Sequence, residues 1–260
     1  MIPLYLDGSD SPIRIRRDGP SLRLLRAGTA DARYPLRRLT RLVVRGAVSW
    51  DGDALAACLG HGVPVSLLDG GGRTLGACLP ATARAADTAA LVDEADGAGV
   101  LHGTLANWLR AAERRRILAM VQRLGLAPAD LRPATVRRAL VAALDAAGPL
   151  PGQDLLERLE ALLDGEVGAL LLAEGIGPRL QGGTAGIDLR RDLRRVLAWE
   201  LGPLAHRLAG YLARHAARHR HEPEFARRIA RQFEGGRERR RAVAARCLAE
   251  LRGCLREALW

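Results

Sequence analysis

The apolar residues change their spacing near residue 80, and this splits the chain into two kinds of folding problem. Ahead of that point they alternate in short runs closed by turn residues. Leu4-Tyr5-Leu6 stops at Asp7-Gly8, Ile13-Arg14-Ile15-Arg16 at Asp18-Gly19, and Leu22-Arg23-Leu24-Leu25 at Gly28. Alternation places every second side chain on one face of a strand, and Asp-Gly favours the positive φ of a tight hairpin turn. Hairpin-linked strands are the expectation. A longer strand is expected over Leu39 to Arg45, then a short helix over Asp51 to Gly60, with Leu55, Ala56 and Leu59 at helical spacing. Val63 to Leu68 returns to strand, Asp69-Gly70-Gly71-Gly72 turns, and Thr74 to Leu79 closes the region.

Residues 81–98 are rich in Ala, Asp, Thr and Gly with little periodicity, and read as a linker with a helical end. From residue 99 the spacing is helical to the C-terminus. Leu105, Leu109, Ile117, Leu118, Val121 and Leu124 form one stripe, with Arg110, Arg114, Arg115 and Arg116 away from it. Gly125 and Pro128 end that helix. Further helices are expected over 134–146, 153–173, 188–215 and 222–258. Pro149-Leu150-Pro151 and Gly175-Ile176-Gly177-Pro178 are the breaks. The expected fold class is α+β: a small N-terminal β domain with one helix (1–80), a linker, then a larger all-α domain (99–260).

Charge narrows the partners. The chain carries 40 basic residues, all Arg, against 29 acidic ones, for a net charge of +11. Such an excess supplies non-specific affinity for phosphate, so nucleic acid is the expected partner. Aromatics make up only 3% of the chain, which argues for recognition of duplex shape and charge rather than base stacking on single strands. Trp108 and Trp199 read as core anchors. Cys58, Cys78, Cys247 and Cys254 have no zinc-ligand spacing and read as buried thiols in a reducing cytoplasm. The start, MIPLYLDGSD, lacks the pattern of a signal peptide, and no apolar stretch is long enough to span a bilayer. Gly70-Gly71-Gly72 lacks the Lys and Ser/Thr of a phosphate-binding P-loop and fits a hairpin turn.

Several stretches taken in order resemble the CRISPR-associated integrases of the Cas-one family. They are Leu4-Tyr5-Leu6, Tyr34-Pro35-Leu36, Val43-Val44-Arg45-Gly46, the Asp51 to Gly60 helix, Gly62-Val63-Pro64-Val65-Ser66-Leu67-Leu68-Asp69 and Gly72-Arg73-Thr74-Leu75-Gly76. In the second half, Leu162-Leu163-Asp164-Gly165-Glu166-Val167-Gly168-Ala169 and Gly175-Ile176-Gly177-Pro178-Arg179-Leu180 are similar to that family's segments. The resemblance implies a metal-dependent DNA endonuclease and integrase that acts in spacer acquisition. It also implies a homodimer formed through the β domains and assembly with a small ferredoxin-like Cas-two-type partner on DNA. The implied cofactor is Mg2+ or Mn2+, held by a Glu, a His and a second acid, polarising a phosphate and stabilising the leaving oxygen.

Only part of that ligand set is present. Glu166 falls on the first ligand position. Thr184 occupies the position of the expected His, and no His lies between His102 and His206. Two registers remain for the third ligand. Alignment on Pro203 puts Val196 and Trp199 at the acidic positions, one residue from Glu200. Alignment on Asp192-Leu193 keeps Asp192 and puts Arg195 at the metal acid. Glu200 and Asp192 are the candidate substitutes. A site short of two ligands binds its ion poorly, so weak or absent independent catalysis is expected.

Three basic clusters are candidates for contact with a phosphate backbone: Arg190, Arg191, Arg194 and Arg195; Arg214, Arg218 and Arg220; and Arg237 with Arg239 to Arg241. His215 and His219, at i and i+4, have the spacing of a metal pair, but with only Glu222 and Glu224 to complete a set and four Arg nearby, a phosphate-facing stretch with His221 is favoured. The alternative function is a non-enzymatic DNA-binding architectural or regulatory protein, for which no short-turn helix pair stands out.

Overall fold

The computed structural model describes residues 2–69, 74–78, 80, 87–174, 176, 187–215 and 222–260. The chain divides into two compact units, Met1–Ala83 and Arg84–Trp260. The first holds the strands and one helix and the second is helical, an α+β arrangement.

In the first unit the described strands are β1 (Ile2–Asp18), β2 (Ser21–Arg26), β3 (Ala32–Pro35), β4 (Leu39–Trp50), β5 (Val65–Leu68) and β6 (Thr74–Cys78). They form one sheet in the order β3-β2-β1-β4-β5-β6. β1 pairs antiparallel with β2 and parallel with β4, and β4 parallel with β5. The alternating residues Leu4, Leu6, Ile13 and Ile15 of β1, with Leu22, Leu42, Val44 and Val65, enter one core. Ala54, Ala57 and Cys58 of helix α1 (Gly52–Gly60) belong to the same core. Each fully buried Leu, Ile or Val there contributes about 1.5–3 kcal/mol of burial free energy.

The expected turn at Asp7-Gly8 does not form. β1 runs through it as one strand, bulged between Gly8 and Ile13, and pairs with β4 on both sides of the bulge. Gly8 lies opposite Gly46, and the two backbones approach so closely that a Cβ on Gly8 would stand 2.3 Å from the Ala47 oxygen. Gly46 takes a φ of 76°. The Asp7 side chain accepts a bond from Ser9 N at 3.0 Å, so an acid-plus-glycine pair here builds a bulge instead of a reversal. Gly19 and Gly28 do turn, with φ of 58° and 74°. β4 continues past Arg45 to Trp50, and β5 starts at Val65. The expected turn residues Gly70 to Gly72, and Leu79, lie outside the described residues.

The second unit contains α2 (Asp87–Gly97), α3 (Leu101–Leu124), α4 (Pro133–Ala147), α5 (Gly152–Ala173), α6 (Leu189–Ala198), α7 (Gly202–His215), α8 (Glu222–Gly235) and α9 (Arg237–Leu259). α2 is the helical end of the stretch read as a linker, and it buries Val92 and Ala95. The buried stripe of α3 runs through Leu101, Leu105, Trp108, Ala112, Ile117 and Met120, whereas Leu118 and Val121 lie at its margin. Gly125 caps α3 in the left-handed conformation.

Two helices expected to be continuous are broken. The 188–215 segment passes from α6 through a 3-10 turn at Trp199–Leu201 into α7. Pro203 has no N–H to donate to the preceding turn, and a Cβ on Gly202 would stand 2.9 Å from Met120 Cγ on α3, so both residues favour a new start there. The 222–258 segment breaks at Gly235 and Gly236. Among the described residues no helix is long and apolar enough to cross a membrane.

Candidate functional site

Glu166 lies on the inner face of α5, only 4% exposed. Arg240 of α9, also 4% exposed, donates from Nε to Glu166 Oε2 at 2.7 Å. Its Nη1 donates to the Phe233 carbonyl in the last turn of α8 at 2.7 Å, and its guanidinium lies 3.6 Å from the centroid of the Phe233 ring. Arg240 thus ties α5, α8 and α9 together and gives a second bond to the Phe233 carbonyl, which also accepts from Gly236 N at 3.1 Å. Gly236 makes room for it, because a Cβ there would stand 2.8 Å from Arg240 Nη1. Glu166 Oε1 and Arg240 Nη2 are buried with no hydrogen-bond partner among the described residues.

The residues considered for the third ligand lie around a different carboxylate, Glu113 of α3. Arg195 donates to it from Nε at 2.9 Å and reaches Oε2 with Nη2 at 2.7 Å. Trp199 Nε1 donates to Oε1 at 3.3 Å. The two registers, which placed Arg195 or Trp199 at a metal acid, therefore both lead to residues that bind this buried glutamate. Val196 is buried. The bond to Glu113 raises the pKa of Arg195. Asp192 lines a cleft of about 350 Å³ with Glu113, Asp188, Arg191 and Arg195. Burial, then the charge of Asp188, pushes its carboxyl above the usual range, against the pull of Arg191 and Arg195. Glu200 is held between Arg116 at 3.5 Å and Arg239 at 3.3 Å. Thr184 lies outside the described residues.

The sequence reading missed Glu113 and took Arg240 for one of a phosphate-facing cluster, whereas it is buried on Glu166. A signal for each was present. Glu113 has Leu109, Ile117 and Met120 at i−4, i+4 and i+7, and Arg240 has Val243, Ala244 and Cys247 at i+3, i+4 and i+7. A charge on an apolar helical stripe points to a buried partner.

The basic cluster of α6 is largely paired with acids, although Arg191 and Arg195 are exposed. Arg190 grips Asp164 with two bonds, at 3.1 and 2.6 Å, and Arg194 stands 4.0 Å from the same acid. With Arg195 on Glu113, three of the four arginines of this cluster pair with acids of the protein. Arg191 and Arg214 are exposed, while Arg218, Arg220, His219 and His221 lie outside the described residues. His215 stacks on Tyr211 with 4.2 Å between ring centroids. Trp108 and Trp199 are core residues, and Trp108 Nε1 donates to the Cys247 carbonyl at 3.2 Å. Cys58 and Cys247 are buried, but Cys78 and Cys254 are only partly so, and the four thiols are unpaired.

The family model described as CRISPR associated protein Cas1 matches residues 4–124. The match covers a little under half of the chain, which resembles the Cas1 family there. Among solved structures it is similar to TM1797, a CAS1 protein from Thermotoga maritima, at TM-score 0.73 and 13% identity over 98% of this chain and 97% of that one. It is similar to a casposase bound to integration product at 0.63 and 16%, covering 90% and 82% of the two chains. A TtCas1–DNA complex gives 0.63 and 16%, covering 97% and 91%. At these identities the likeness is one of fold. No curated protein matches in sequence.

Cas1 proteins are generally metal-dependent. The donors among the described residues do not fit a divalent ion. Glu166, which the resemblance puts at the first ligand position, faces a buried guanidinium at 2.7 Å, which would repel a second cation. Glu200 is held by two arginines, and Asp192 belongs to the cleft beside Glu113, whose lining does not include Glu166. Among the described residues no three His, Cys, Asp or Glu side chains are grouped to hold a metal.

Proposed function

We propose that this chain is a Cas1-type DNA-binding subunit of CRISPR spacer acquisition whose own metal-dependent strand transfer is weak or lost. The family match and a net charge of +11 support the DNA-binding part. The buried Glu166–Arg240 pair carries the catalytic part, because the family's first metal ligand is neutralised from within the protein. An internal cation restores the charge balance of the carboxylate but has no coordination position for a phosphate oxygen or water, so it cannot act as a Lewis acid.

In this reading the chain works as architecture. It pairs with a second copy through its β unit, joins a small Cas-two-type partner, and holds duplex or branched DNA in the cytoplasm while another subunit supplies the chemistry. Mg2+ or Mn2+ has no required place in this copy.

The test uses purified full-length protein, a labelled DNA end and a branched target with Mn2+. The expected result is salt-dependent binding that favours branched over linear DNA, with no strand transfer above a Glu166→Ala control. Transfer that Glu166→Ala abolishes would overturn the catalytic part. Absence of salt-dependent DNA binding would overturn the rest.

A further inference from the structure

Most of the arginines described so far face acids. A cleft of about 420 Å³ along α7 and α8 is different: His206, Arg207, Tyr211, Arg214, Arg228 and Gln232 line it with Leu208 and Gly210, and among the described residues no carboxylate does. Arg207 and Arg214 are exposed and have no acidic partner among the described residues. Arg228 lies over the Tyr211 ring, 4.5 Å from its centroid, while its Nε is buried with no hydrogen-bond partner among the described residues. A buried donor left unmet costs about 1–3 kcal/mol, so this one calls for an acceptor. The end of α7 adds roughly half a negative charge nearby, against a full positive charge from each of three arginines.

The ligand must be an anion rich in oxygen acceptors. Guanidinium forks fit phosphate with paired N–H···O bonds. Base stacking on Tyr211 is not offered, because His215 and Arg228 already cover its ring. Tyr211 is therefore a positioning residue for Arg228. The volume lies within the range of small-ligand sites and is ample for a sugar-phosphate unit.

We infer that this cleft binds a backbone phosphate of a polynucleotide strand, independently of base sequence. The inference rests on the DNA-binding reading above and gives it a specific anchor.

The experiment compares wild type, Arg207→Gln/Arg214→Gln, and Arg123→Gln/Arg138→Gln in full-length protein, by duplex DNA binding across a salt series. Arg123 and Arg138 are exposed and lie away from the cleft, so the second pair removes the same charge elsewhere. The expected result is a loss of roughly tenfold or more for the cleft variant. The slope of log affinity against log salt should fall by about two. The control variant should move much less, and melting curves should match wild type for both. Equal losses in the two variants would sink the cleft while leaving DNA binding intact. A wild type that binds no DNA would sink both readings. Inorganic phosphate and a dinucleotide form two further arms. If either saturates the Nε–H resonances of Arg207, Arg214 and Arg228 more tightly than a DNA strand does, the cleft is a free-anion site and the proposal fails. Tyr211→Leu should reduce affinity and shift the Arg228 Nε–H resonance, which a purely structural role in α7 would not do.

Discussion

Arg240→Met removes the charge opposite Glu166 while keeping a long apolar stem against Phe233. Glu166 would then be a 4%-exposed carboxylate with neither oxygen paired. Leaving one partner of a buried ion pair alone costs about 3–5 kcal/mol. Two unit charges about 4 Å apart at an effective dielectric near 20 attract by about 4 kcal/mol, in agreement. Loss of the bond to the Phe233 carbonyl adds about 1 kcal/mol, whereas a methionine sulfur recovers part of the ring contact. For a unit of this size 1 kcal/mol shifts Tm by about 2–4 °C, so Arg240→Met should melt roughly 10 °C below wild type. Glu166→Leu alone should cost a similar amount, since it leaves the guanidinium buried and unpaired. The double variant Glu166→Leu/Arg240→Met should return to within about 2 kcal/mol of wild type, because the attraction of a buried pair is largely offset by its desolvation. Urea unfolding of all four proteins by circular dichroism gives the coupling energy, expected above about 2 kcal/mol. If the single variants each cost under about 1 kcal/mol and simply add, the carboxylate is not committed to Arg240, and a metal ion could compete for it after all.

Other measurements test neighbouring claims. Gly236→Ala places a methyl 2.8 Å from Arg240 Nη1, so it should destabilise the protein and show little further loss in the Arg240→Met background; additive losses would mean that Gly236 does not act through Arg240. Burial pushes the Cys58 thiol up to about 11 and raises Cys247 as well. At pH 8 only roughly a thousandth of Cys58 is thiolate, so iodoacetamide followed by mass spectrometry should label Cys78 and Cys254 in native protein and the buried pair only after denaturation. The carboxyl of Asp192 is raised by burial, so its unfolded form releases a proton at lower pH than its folded form does, and its charge opposes folding above that window. Asp192→Asn should therefore raise Tm at pH 7, with the gain shrinking as the pH falls toward 4; a gain that does not change with pH would refute the assignment.

Much of the fold was legible because it rests on local patterning. The switch of apolar spacing near residue 80 separated strands from helices, and a single residue, Gly125, placed the end of α3. The failures came where a local signal had a non-local purpose. Asp7-Gly8 has the chemistry of a turn, but Gly46 lies opposite it on a parallel strand, and the close approach of two backbones, not a reversal, is what requires glycine at both places. Gly202 is similar: what excludes a side chain is Met120 on another helix. At the candidate site the sequence raised the expectation of an incomplete ligand set. It did not show the ion pairs at Glu166 and Arg195, because Arg240 lies 74 residues from Glu166 and Glu113 lies 82 from Arg195.

The run Arg190-Arg191-Asp192-Leu193-Arg194-Arg195 shows why basic composition alone is a poor map of a DNA surface. On a helix, Arg190 and Arg194 share one face and Arg191 and Arg195 another. The first pair closes on Asp164, and Arg195 of the second closes on Glu113, so a stretch that looks like a phosphate-binding ladder is largely spent on holding α6 to α5 and α3. A guanidinium already bonded to a carboxylate must lose that bond before it can take a phosphate, and where the acid is as buried as Glu113 the exchange leaves an unpaired charge worth several kcal/mol. Counterion release, by contrast, is gained by any arginine whose neighbours are water and salt. The side chains that can contribute affinity to a polyanion are therefore those with no internal acid, Arg191, Arg207 and Arg214 among them. Substituting Arg190 should lower stability more than DNA affinity, and substituting Arg207 should do the reverse.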